Sequence, residues 1–219
     1  MNQKSEKNQQ VYSYLPSIGK TWKTYLFKEI FIIELIITLV LLFAAIISFM
    51  HFLNFIETRT GVQFSDPVLK LLKPIDLSAI IFGIIYLSIV IGLLSLLNDP
   101  PKLILAFQAY TVLLVVRILT LYLLPLNPPP GMLPLIDPIV NNIGMGRLLT
   151  KDLFFSGHTA TIFLLFLIVN NKKLKIVFFS CFIILAVTLI LQHAHYSIDV
   201  FSAPFFAYVS YRIVCSIKM

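Results

Sequence analysis

Long apolar runs separated by short polar segments dominate the chain from residue 27 onward. A helix that spans a bilayer needs about 20 consecutive apolar residues, because inside lipid the backbone must satisfy its own hydrogen bonds. The pattern predicts six such helices, at residues 27–52, 77–97, 103–126, 153–170, 176–192 and 196–215. The second is the clearest, since LSAIIFGIIYLSIVIGLLSLL contains no charged residue. The sequence therefore predicts an all-α, polytopic membrane protein with six transmembrane helices.

Polar segments divide the rest of the chain. Residues 1–26 are polar and contain several Lys, and the apolar run that follows lacks a small-residue cleavage site, which is typical of an anchor that is retained. The longest loops, 53–76 and 127–152, follow the first and the third predicted spans. We therefore expect an N-terminal segment (1–26), a transmembrane domain (27–216) and a short C-terminal tail (217–219).

The composition is that of an integral membrane protein. Of the 219 residues, 58% are hydrophobic and 12% are charged, whereas soluble domains are on average about half apolar and about a quarter charged. In a soluble protein the net charge of +7 would suggest binding to nucleic acid. In a membrane protein it instead reflects the orientation of the chain in the membrane, so we expect no nucleic-acid partner. Cys181 and Cys215 both lie in apolar runs, which argues against a disulfide framework.

The distribution of Lys and Arg predicts the orientation in the membrane. Six spans place both termini on one side, and the segments on that side carry eleven of the 17 Lys and Arg residues, against five on the other. Positive residues accumulate on the cytosolic side. We therefore expect cytosolic termini, with both long loops and the turn at 193–195 on the exoplasmic side. The short N terminus and the minimal loops favour a bacterial inner membrane.

Three ionisable residues fall where the chain meets this outer interface. DLFFSGHTA (152–160) opens the fourth span and HAHYSID (193–199) opens the sixth, so that His158 and His195 are expected at similar depth. His195 and Asp199 are four residues apart and would share one face of a helix. A carboxylate there can accept the imidazole N–H, fix the tautomer and stabilise positive charge on the ring. Because ionisable groups are costly inside a membrane, their clustering indicates a functional site.

The start of the fourth span has the features of an anion site. Ser156 supplies a hydroxyl, Gly157 permits close approach to the backbone, and helix starts bind anions through free N–H groups and the helix dipole. Asp152 is expected either to cap this helix or to take part in the site. The ordinary pKa of a histidine side chain lies near neutral pH, so two His beside these residues suit phosphate ester chemistry, in which one His attacks phosphorus and the other transfers a proton.

Arg117 lies inside the third predicted span, about nine residues, or ~13 Å, from its outer end. A cation at that depth requires an anionic partner, and a phosphate headgroup drawn into a cavity would serve. The alternative is a structural cation that pairs with backbone carbonyls or with Glu34. Glu34, however, lies near the inner end of the first span, which argues against direct pairing.

His193 and the pair of His195 and Asp199 admit other interpretations. The pair would also serve as a structural hydrogen bond that ties two helices together, and His193 as an interfacial residue near the lipid headgroups. Imidazole and carboxylate groups also suit zinc or iron. However, residues two apart on a helix, such as His193 and His195, point about 200° away from each other, so we expect no metal and no cofactor.

At these residues the sequence resembles a known family. SGHT followed by HYSID is similar to the type-2 phosphatidic acid phosphatase (PAP2) superfamily, and within it to the sphingomyelin synthase branch. That branch carries Gly-Asp-x3-Ser-Gly-His-Thr, His-x-His-Tyr-Thr-x-Asp-Val, and Arg-x2-Thr-x-Tyr before a Leu-Pro exit. The corresponding stretches here are KDLFFSGHT (151–159), HAHYSIDV (193–200) and RILTLYLLP (117–125), and the similarity covers roughly residues 103–212.

The resemblance implies a PAP2-like helical bundle of six spans, an exoplasmic site, no metal and a phosphohistidine mechanism. In that mechanism His195 would be the nucleophile, Asp199 its orienting partner, and His158 the acid and base. The further candidates, which would bind the substrate phosphate, are Arg117, Asp152, Ser156, Gly157, His193 and Tyr196.

The chain departs from the family pattern at several positions. The Lys-x6-Arg-Pro motif of the general lipid phosphatases is absent, and so is their Ser-Arg pair, whose positions are occupied by Thr188 and Leu189. Both absences favour the synthase branch. Lys151 replaces the Gly of that branch, and Pro204 stands where a Tyr is expected. These differences bear on the headgroup and the acceptor rather than on the triad.

We therefore expect a membrane lipid phosphotransferase that moves phosphocholine or phosphoethanolamine from a phospholipid to a ceramide-like acceptor. Its partners would be the bilayer itself, the phospholipid, and ceramide or diacylglycerol. With water as the acceptor, the same residues would form a lipid phosphatase or a phospholipase C-like hydrolase. A small transporter would need polar residues on several spans, and the second and fifth have almost none. A purely structural scaffold would not need the clustered His, His and Asp.

Overall fold

The structure of the protein is a computed structural model that describes residues 18–135 and 149–218. Residues 1–17, which form most of the predicted N-terminal segment, lie outside the described residues. So do residues 136–148 of the predicted loop 127–152, and Met219 of the predicted tail.

Six apolar helices form most of the described chain, and we number them in chain order. They are α1 (Glu29–Thr58), α2 (Ser78–Leu96), α3 (Pro100–Leu123), α4 (Gly157–Ile168), α5 (Lys172–Leu191) and α6 (Ser197–Ile217). A helical segment at residues 18–26 precedes them, and a single 3-10 turn, Leu69–Leu71, lies between α1 and α2. Across the described residues there is no strand, only an isolated bridge between Val62 and Leu126. The predicted all-α fold is therefore confirmed for the described part of the chain.

Five of these helices are long and apolar enough to cross a membrane. They are α1, α2, α3, α5 and α6, with 30, 19, 24, 20 and 21 residues. Large apolar side chains such as Ile33, Val40 and Phe205 are exposed on their surfaces. An apolar outer surface of this kind is unfavourable in water but carries no such cost when lipid tails surround the protein. The helices therefore support an integral membrane protein.

The fourth predicted span, residues 153–170, is not confirmed as a helix that crosses the membrane. Helix α4 has 12 residues, or about 18 Å at 1.5 Å per residue, whereas the hydrocarbon core of a bilayer is about 30 Å thick. The helix begins only at Gly157 because the backbone just before it makes tertiary contacts. The Phe155 carbonyl accepts a hydrogen bond from Arg117, and the Ser156 N–H donates to the carbonyl of Asp199.

Two other helix boundaries differ from the prediction. Helix α1 continues beyond residue 52 to Thr58, so the loop that follows it is shorter than predicted. Helix α3 begins at Pro100 rather than at residue 103, because Asp99 caps it and accepts a hydrogen bond from the Lys102 N–H. Proline is favoured in the first turn of a helix, where its missing N–H would have no partner.

The helices alternate in direction, so that one end of the bundle collects the loops that carry the candidate residues. We call it the site end. There Arg59, after α1, donates to the Tyr122 carbonyl of α3 at 2.7 Å, and the Leu77 N–H, before α2, donates to the Gln192 side chain at 3.0 Å. At the opposite end Lys218 pairs with Glu34 at 2.7 Å. The first long loop and the turn at 193–195 therefore share one end of the protein.

Helix α4 lies at the centre of the bundle and packs against α2, α3, α5 and α6, while α1 packs mainly against α3. Small buried residues, Ala109 on α3 with Ala203 and Ala207 on α6, contribute to the core between these helices. Small side chains let helix backbones approach closely, which is how helices in membranes gain packing energy. The short helix α4 is thereby held with its N terminus, and thus His158, at the site end.

Candidate active site

The two histidines that lie far apart in sequence meet at the site end. The ring centroids of His158 and His195 are 6.4 Å apart and their planes are inclined by 68°. His158 is the second residue of α4, and His195 lies in the turn between α5 and α6. The His195 residue is only 3% exposed. Two imidazoles at this separation are close enough for one phosphoryl group to contact both.

His195 and Asp199 do not share a helix face, contrary to the sequence expectation. Helix α6 begins at Ser197, so His195 belongs to the preceding turn, while Asp199 lies in the first helical turn. The reason is a capping interaction, in which the Asp199 carboxylate accepts the Tyr196 N–H at 3.0 Å and so fixes the helix start. The turn nevertheless folds back and brings Nδ1 of His195 to 3.6 Å from Oδ2 of Asp199.

The contact between His195 and Asp199 is longer than a hydrogen bond, which has an optimum near 2.9 Å. Within the described residues, Nδ1 of His195 and Oδ1 of Asp199 are buried without another hydrogen-bond partner. A shift of under about 1 Å would join them, and catalytic hydrogen bonds are often long before substrate binds. The arrangement therefore leaves Nε2 of His195 as the ring atom directed away from the carboxylate.

Ser156 connects the two helix starts. Its N–H donates to the backbone carbonyl of Asp199 at 3.0 Å, so the N terminus of α4 is tied to the first turn of α6. Its hydroxyl is fully buried and has no hydrogen-bond partner in the part of the chain that the structure describes. A buried hydroxyl of this kind favours a ligand that can pair with it, since an unpaired buried polar group is costly.

Arg117 and Asp152 form a buried ion pair beside this cluster. The guanidinium of Arg117 pairs with the Asp152 carboxylate and donates to the Phe155 carbonyl, and it lies 5.4 Å from the ring centroids of both Phe49 and Phe155. The Arg117 residue is 2% exposed. Glu34, the alternative partner considered for Arg117, instead binds Lys218 and Gln108.

Gly157 is the point where Arg117 touches the helix backbone. A Cβ atom at this position would lie 2.6 Å from Nη1 of Arg117 and 2.7 Å from its Cζ. From the sequence we expected Gly157 to allow an anion to approach the helix start. The structure shows that a guanidinium approaches there, which holds a positive charge against the N-terminal turn that carries His158.

A cavity of about 150 Å³ opens beside these groups. Its polar end is formed by Arg117, Asp152, Gly157 and His158, and the rest of its wall is formed by side chains of α1, α3 and α4, namely Phe49, Tyr110, Leu113, Leu114 and Thr161. A wall that is charged at one end and mainly apolar beyond it matches an amphiphilic ligand. A phosphate would lie at the charged end and the lipid part against the helices.

His193 and Tyr196 make their contacts on the other side of the same turn. His193 has a positive φ of 54°, and Nδ1 of its ring lies 3.2 Å from the Pro130 carbonyl. A carbonyl only accepts, so this nitrogen carries the proton. The Tyr196 ring stacks on Phe64 at 4.0 Å, and its hydroxyl donates to the Asn127 carbonyl at 2.9 Å. Neither residue lines the cavity at His158, and their proposed binding of phosphate stays a prediction.

Asp66 is a structural partner of the site that sequence reasoning missed. Its carboxylate accepts the Ser197 N–H at 2.6 Å and the Val68 and Leu69 N–H groups at 2.8 and 3.3 Å. Burial raises the pKa of this carboxyl, but the hydrogen bonds from Ser197, Leu69 and Val68 lower it by more. The pKa of Asp66 therefore lies below its usual value. Asp66 thus anchors the start of α6, two residues after His195, to the loop after α1.

The sequence offered only a weak signal for this role. Asp66 precedes Pro67 in a loop, which is the usual context of a turn residue, and the turn itself is present. Asp76, in the same loop, accepts hydrogen bonds from the N–H and the hydroxyl of Ser78 at the start of α2. The contact between Asp66 and Ser197 joins residues 131 positions apart, which no local pattern reveals.

Metal ligation would require several suitable side chains to converge. Over residues 18–135 and 149–218, no group of three or more His, Cys, Asp or Glu side chains is placed to hold an ion. Metal-free chemistry stays a prediction from the sequence.

The comparison with protein families bears on the segment that carries most of this site. Residues 151–216 match the family model described as PAP2 superfamily C-terminal. The matched segment contains every candidate residue except Arg117, and it supports assignment to the PAP2 superfamily without distinguishing the sphingomyelin synthase branch. No curated protein and no solved structure gives a significant match.

Proposed function

We propose that the protein transfers a phosphorylated headgroup from a membrane phospholipid to the hydroxyl of a lipid acceptor through a phosphohistidine. The observation that carries this proposal is the pairing of the His158 and His195 rings, 6.4 Å apart, with the Asp199 carboxylate on the Nδ1 side of His195. The match of residues 151–216 to the PAP2 superfamily model supports lipid phosphatase or phosphotransferase activity of this type.

In the first half of the reaction, Nε2 of His195 attacks phosphorus. The P–N bond forms while the bond from phosphorus to the diacylglycerol oxygen breaks, and His158 gives its proton to that oxygen. Asp199 accepts the N–H of His195 and stabilises the positive charge that the ring acquires. The products of this half are diacylglycerol and a phosphorylated His195 that carries the headgroup.

In the second half, His158 acts as the base. It takes the proton from the acceptor hydroxyl, whose oxygen attacks phosphorus as the P–N bond breaks and His195 becomes neutral again. The resemblance to the sphingomyelin synthase branch makes ceramide the natural acceptor and phosphocholine or phosphoethanolamine the natural headgroup. Diacylglycerol is the acceptor in the reverse direction.

Arg117 supplies the positive charge at the polar end of the cavity. A guanidinium has five N–H donors, and the contacts with Asp152 and with the Phe155 carbonyl leave others for a phosphate oxygen. Charge-assisted hydrogen bonds from Arg to phosphate are among the strongest in proteins. In this proposal Asp152 orients the guanidinium, and the Ser156 hydroxyl pairs with a second phosphate oxygen.

Hydrolysis is the second candidate function, and the match to the PAP2 superfamily favours it equally. Here water replaces the lipid hydroxyl in the second half of the reaction, with the same residues in the same roles. The protein would then release a phosphorylated headgroup, or phosphate itself, into solution.

We further propose that the site end faces the exoplasm. The opposite end of the described chain carries Lys102, Lys172, Lys173 and Lys175. Because Lys and Arg accumulate on the cytosolic side of membrane proteins, that end is expected in the cytosol. Substrate would then enter sideways from the outer leaflet.

The assay that tests the function uses purified protein and a headgroup-labelled phospholipid, with and without ceramide. A labelled ceramide product demonstrates transfer, whereas labelled soluble headgroup phosphate alone demonstrates hydrolysis. His195→Ala should abolish both products. The matched control is His51→Ala, because His51 is exposed on α1 and belongs to no part of the site. Turnover that survives in His195→Ala would overturn the assignment of the nucleophile.

A further inference from the structure

We infer that Glu57 and Lys151 are positioning residues. Together they form a clamp between the end of α1 and the segment before α4, and this clamp holds Asp152 where its carboxylate orients Arg117. The inference rests on the proposed function, since Arg117 is the cation that would bind the substrate phosphate. It assigns a role to two charged residues outside the set of candidate site residues. One of them, Lys151, stands where the chain departs from the family pattern.

The Glu57 carboxylate collects three hydrogen bonds from the segment before α4. Its Oε1 accepts the N–H groups of Thr150 and Lys151 at 2.6 and 2.7 Å, and its Oε2 accepts the Thr150 hydroxyl at 3.0 Å. Hydrogen bonds to an ionised acceptor are roughly twice as strong as those between neutral groups. One carboxylate on α1 thus fixes two successive residues that lie more than 90 positions away in the sequence.

The Lys151 ammonium makes the reverse connection. Its Nζ donates to the backbone carbonyl of Glu57 at 3.0 Å and to that of Arg59. Glu57 lies in the last turn of α1, and Arg59 follows the end of that helix. The last carbonyls of a helix lack intrahelical partners and carry the negative end of the helix dipole, so a cation is favoured there. The backbone and the side chain of Lys151 are therefore both bonded to the end of α1.

The end of α1 is itself attached to α3, the helix that carries Arg117. Arg59 donates to the Tyr122 carbonyl of α3 at 2.7 Å. Ile56 of α1 and Leu121 of α3 belong to one buried apolar cluster. The clamp and the guanidinium that it serves are therefore supported by the same pair of packed helices.

Asp152 needs such a clamp because its own segment is irregular. Residues 149–156 form neither helix nor strand, so no regular series of backbone hydrogen bonds fixes them. Asp152 directly follows Lys151, and consecutive Cα atoms are about 3.8 Å apart. On its other side the Phe155 carbonyl accepts from Arg117. Asp152 is therefore held between two fixed points while its carboxylate pairs with Arg117.

The experiment measures phosphate binding and turnover separately. Binding of inorganic phosphate to each purified variant in detergent is measured by calorimetry, and headgroup release from a labelled phospholipid is measured on the same preparations. Glu57→Ala removes the carboxylate, whereas Glu57→Gln keeps an oxygen for the two N–H groups. Glu29→Ala is the matched control, because Glu29 is exposed at the opposite end of the same helix. Thermal unfolding verifies that each variant is folded.

A second background separates positioning from a general structural role. If Glu57 acts through Asp152, Glu57→Ala should weaken phosphate binding in the wild type and have little further effect in Asp152→Asn. A general loss of structure would lower the affinity by the same factor in both backgrounds.

We expect Glu57→Ala to weaken phosphate binding by about 10- to 100-fold, which corresponds to one hydrogen bond between charged groups. Lys151→Met keeps the backbone bond to Glu57 and should weaken binding less, by about 2- to 10-fold, the equivalent of an ordinary hydrogen bond. Glu57→Gln and Glu29→Ala should bind phosphate almost as the wild type does.

The outcomes distinguish the clamp from the proposed function. Undiminished phosphate binding in Glu57→Ala, or an equal loss in the Asp152→Asn background, overturns the clamp. If phosphate binding follows the expected pattern but no phospholipid releases its headgroup, the proposed function fails and the clamp stands. A wild-type protein that does not bind phosphate overturns both.

Discussion

The guanidinium of Arg117 lies against the backbone of Gly157, so closely that a single added methyl group would come within 2.6 Å of Nη1. This contact joins the middle of α3 to the first residue of α4. Since His158 is the next residue, the position of the proposed acid and base depends on a cation that belongs to a different helix.

Gly157→Ala should impair the enzyme. Arg117 cannot easily yield to the new methyl group, because Asp152 and the Phe155 carbonyl hold its guanidinium. We expect a loss of roughly 100-fold in kcat/KM, which is the effect of about 1 Å of misplacement at a reacting group. The measurement is headgroup release at saturating and limiting lipid.

The matched control is Gly83→Ala. Gly83 lies in α2, and a Cβ atom there meets nothing within 4 Å. Alanine in a helix interior is favoured over glycine by about 0.5–1 kcal/mol, so this variant should keep full activity and unfold at the same or a slightly higher temperature. Normal activity in Gly157→Ala would show that Arg117 is free to move and does not position His158.

Asp152→Asn should destabilise the protein, because it leaves Arg117 buried without its counterion. Removing one partner of a buried ion pair costs about 3–5 kcal/mol, and a value near the lower limit is expected here since the Asp152 side chain is 25% exposed. The change is measured as a fall in the midpoint of thermal unfolding in detergent.

A double-variant cycle separates the pair from its surroundings. Arg117→Met with Asp152→Asn removes both charges, so its destabilisation should be smaller than the sum of the two single effects. Strict additivity would mean that the two side chains do not interact. The activity of the double variant should remain low, since no cation faces the substrate phosphate.

Asp66→Asn should flatten the dependence of stability on acidic pH. The pKa of Asp66 is lowered in the folded protein, so its contribution is fully present above the unfolded value of about 3.9. That contribution is lost as the pH falls through the folded pKa. The unfolding midpoint of the wild type should therefore drop below about pH 4, and that of the Asn variant should drop less.

Asp76→Asn serves as the comparison for Asp66. The pKa of Asp76 is also lowered, by its hydrogen bonds from Ser78, but this carboxyl is exposed and caps only the start of α2. We expect Asp66→Asn to slow turnover as well, because it releases Ser197 and with it the turn that holds His195. Asp76→Asn should leave turnover unchanged. Equal effects of the two substitutions on turnover would contradict the anchoring role of Asp66.

His158→Ala should slow the reaction by about 10²- to 10⁴-fold, which is the usual contribution of general acid catalysis to the rate. The defect should depend on the leaving group, because a good leaving group needs no proton. With a p-nitrophenyl phosphodiester, His158→Ala should still phosphorylate His195 at nearly the wild-type rate. A defect of the same size with both substrates would indicate that His158 positions phosphate rather than transferring a proton. His195→Ala should form no phosphoenzyme from either substrate.

The helices and the identities of the candidate residues were readable from the sequence. Lipid offers no hydrogen-bond partners, so long apolar runs must be helical, and five of the six predicted spans appear as helices of sufficient length. His158, His195 and Asp199 stood out because ionisable residues are rare in such a chain. In addition, the two His-containing stretches begin predicted spans that start on the same side of the membrane. The fourth predicted span is not confirmed, since hydropathy does not show that the backbone before Gly157 bonds to other helices.

Packing alone decided the relationships that complete the site. Hydrophobic periodicity contains no information on which atoms of distant segments touch, so the contacts of Asp66 with Ser197 and of Arg117 with Gly157 had no local signal. Each arises because the bundle places two helix ends or two helix faces side by side. The sequence therefore determined which chemistry is available and on which helices, and the tertiary structure determined which groups share a cavity, because side-chain distances depend on how helices pack.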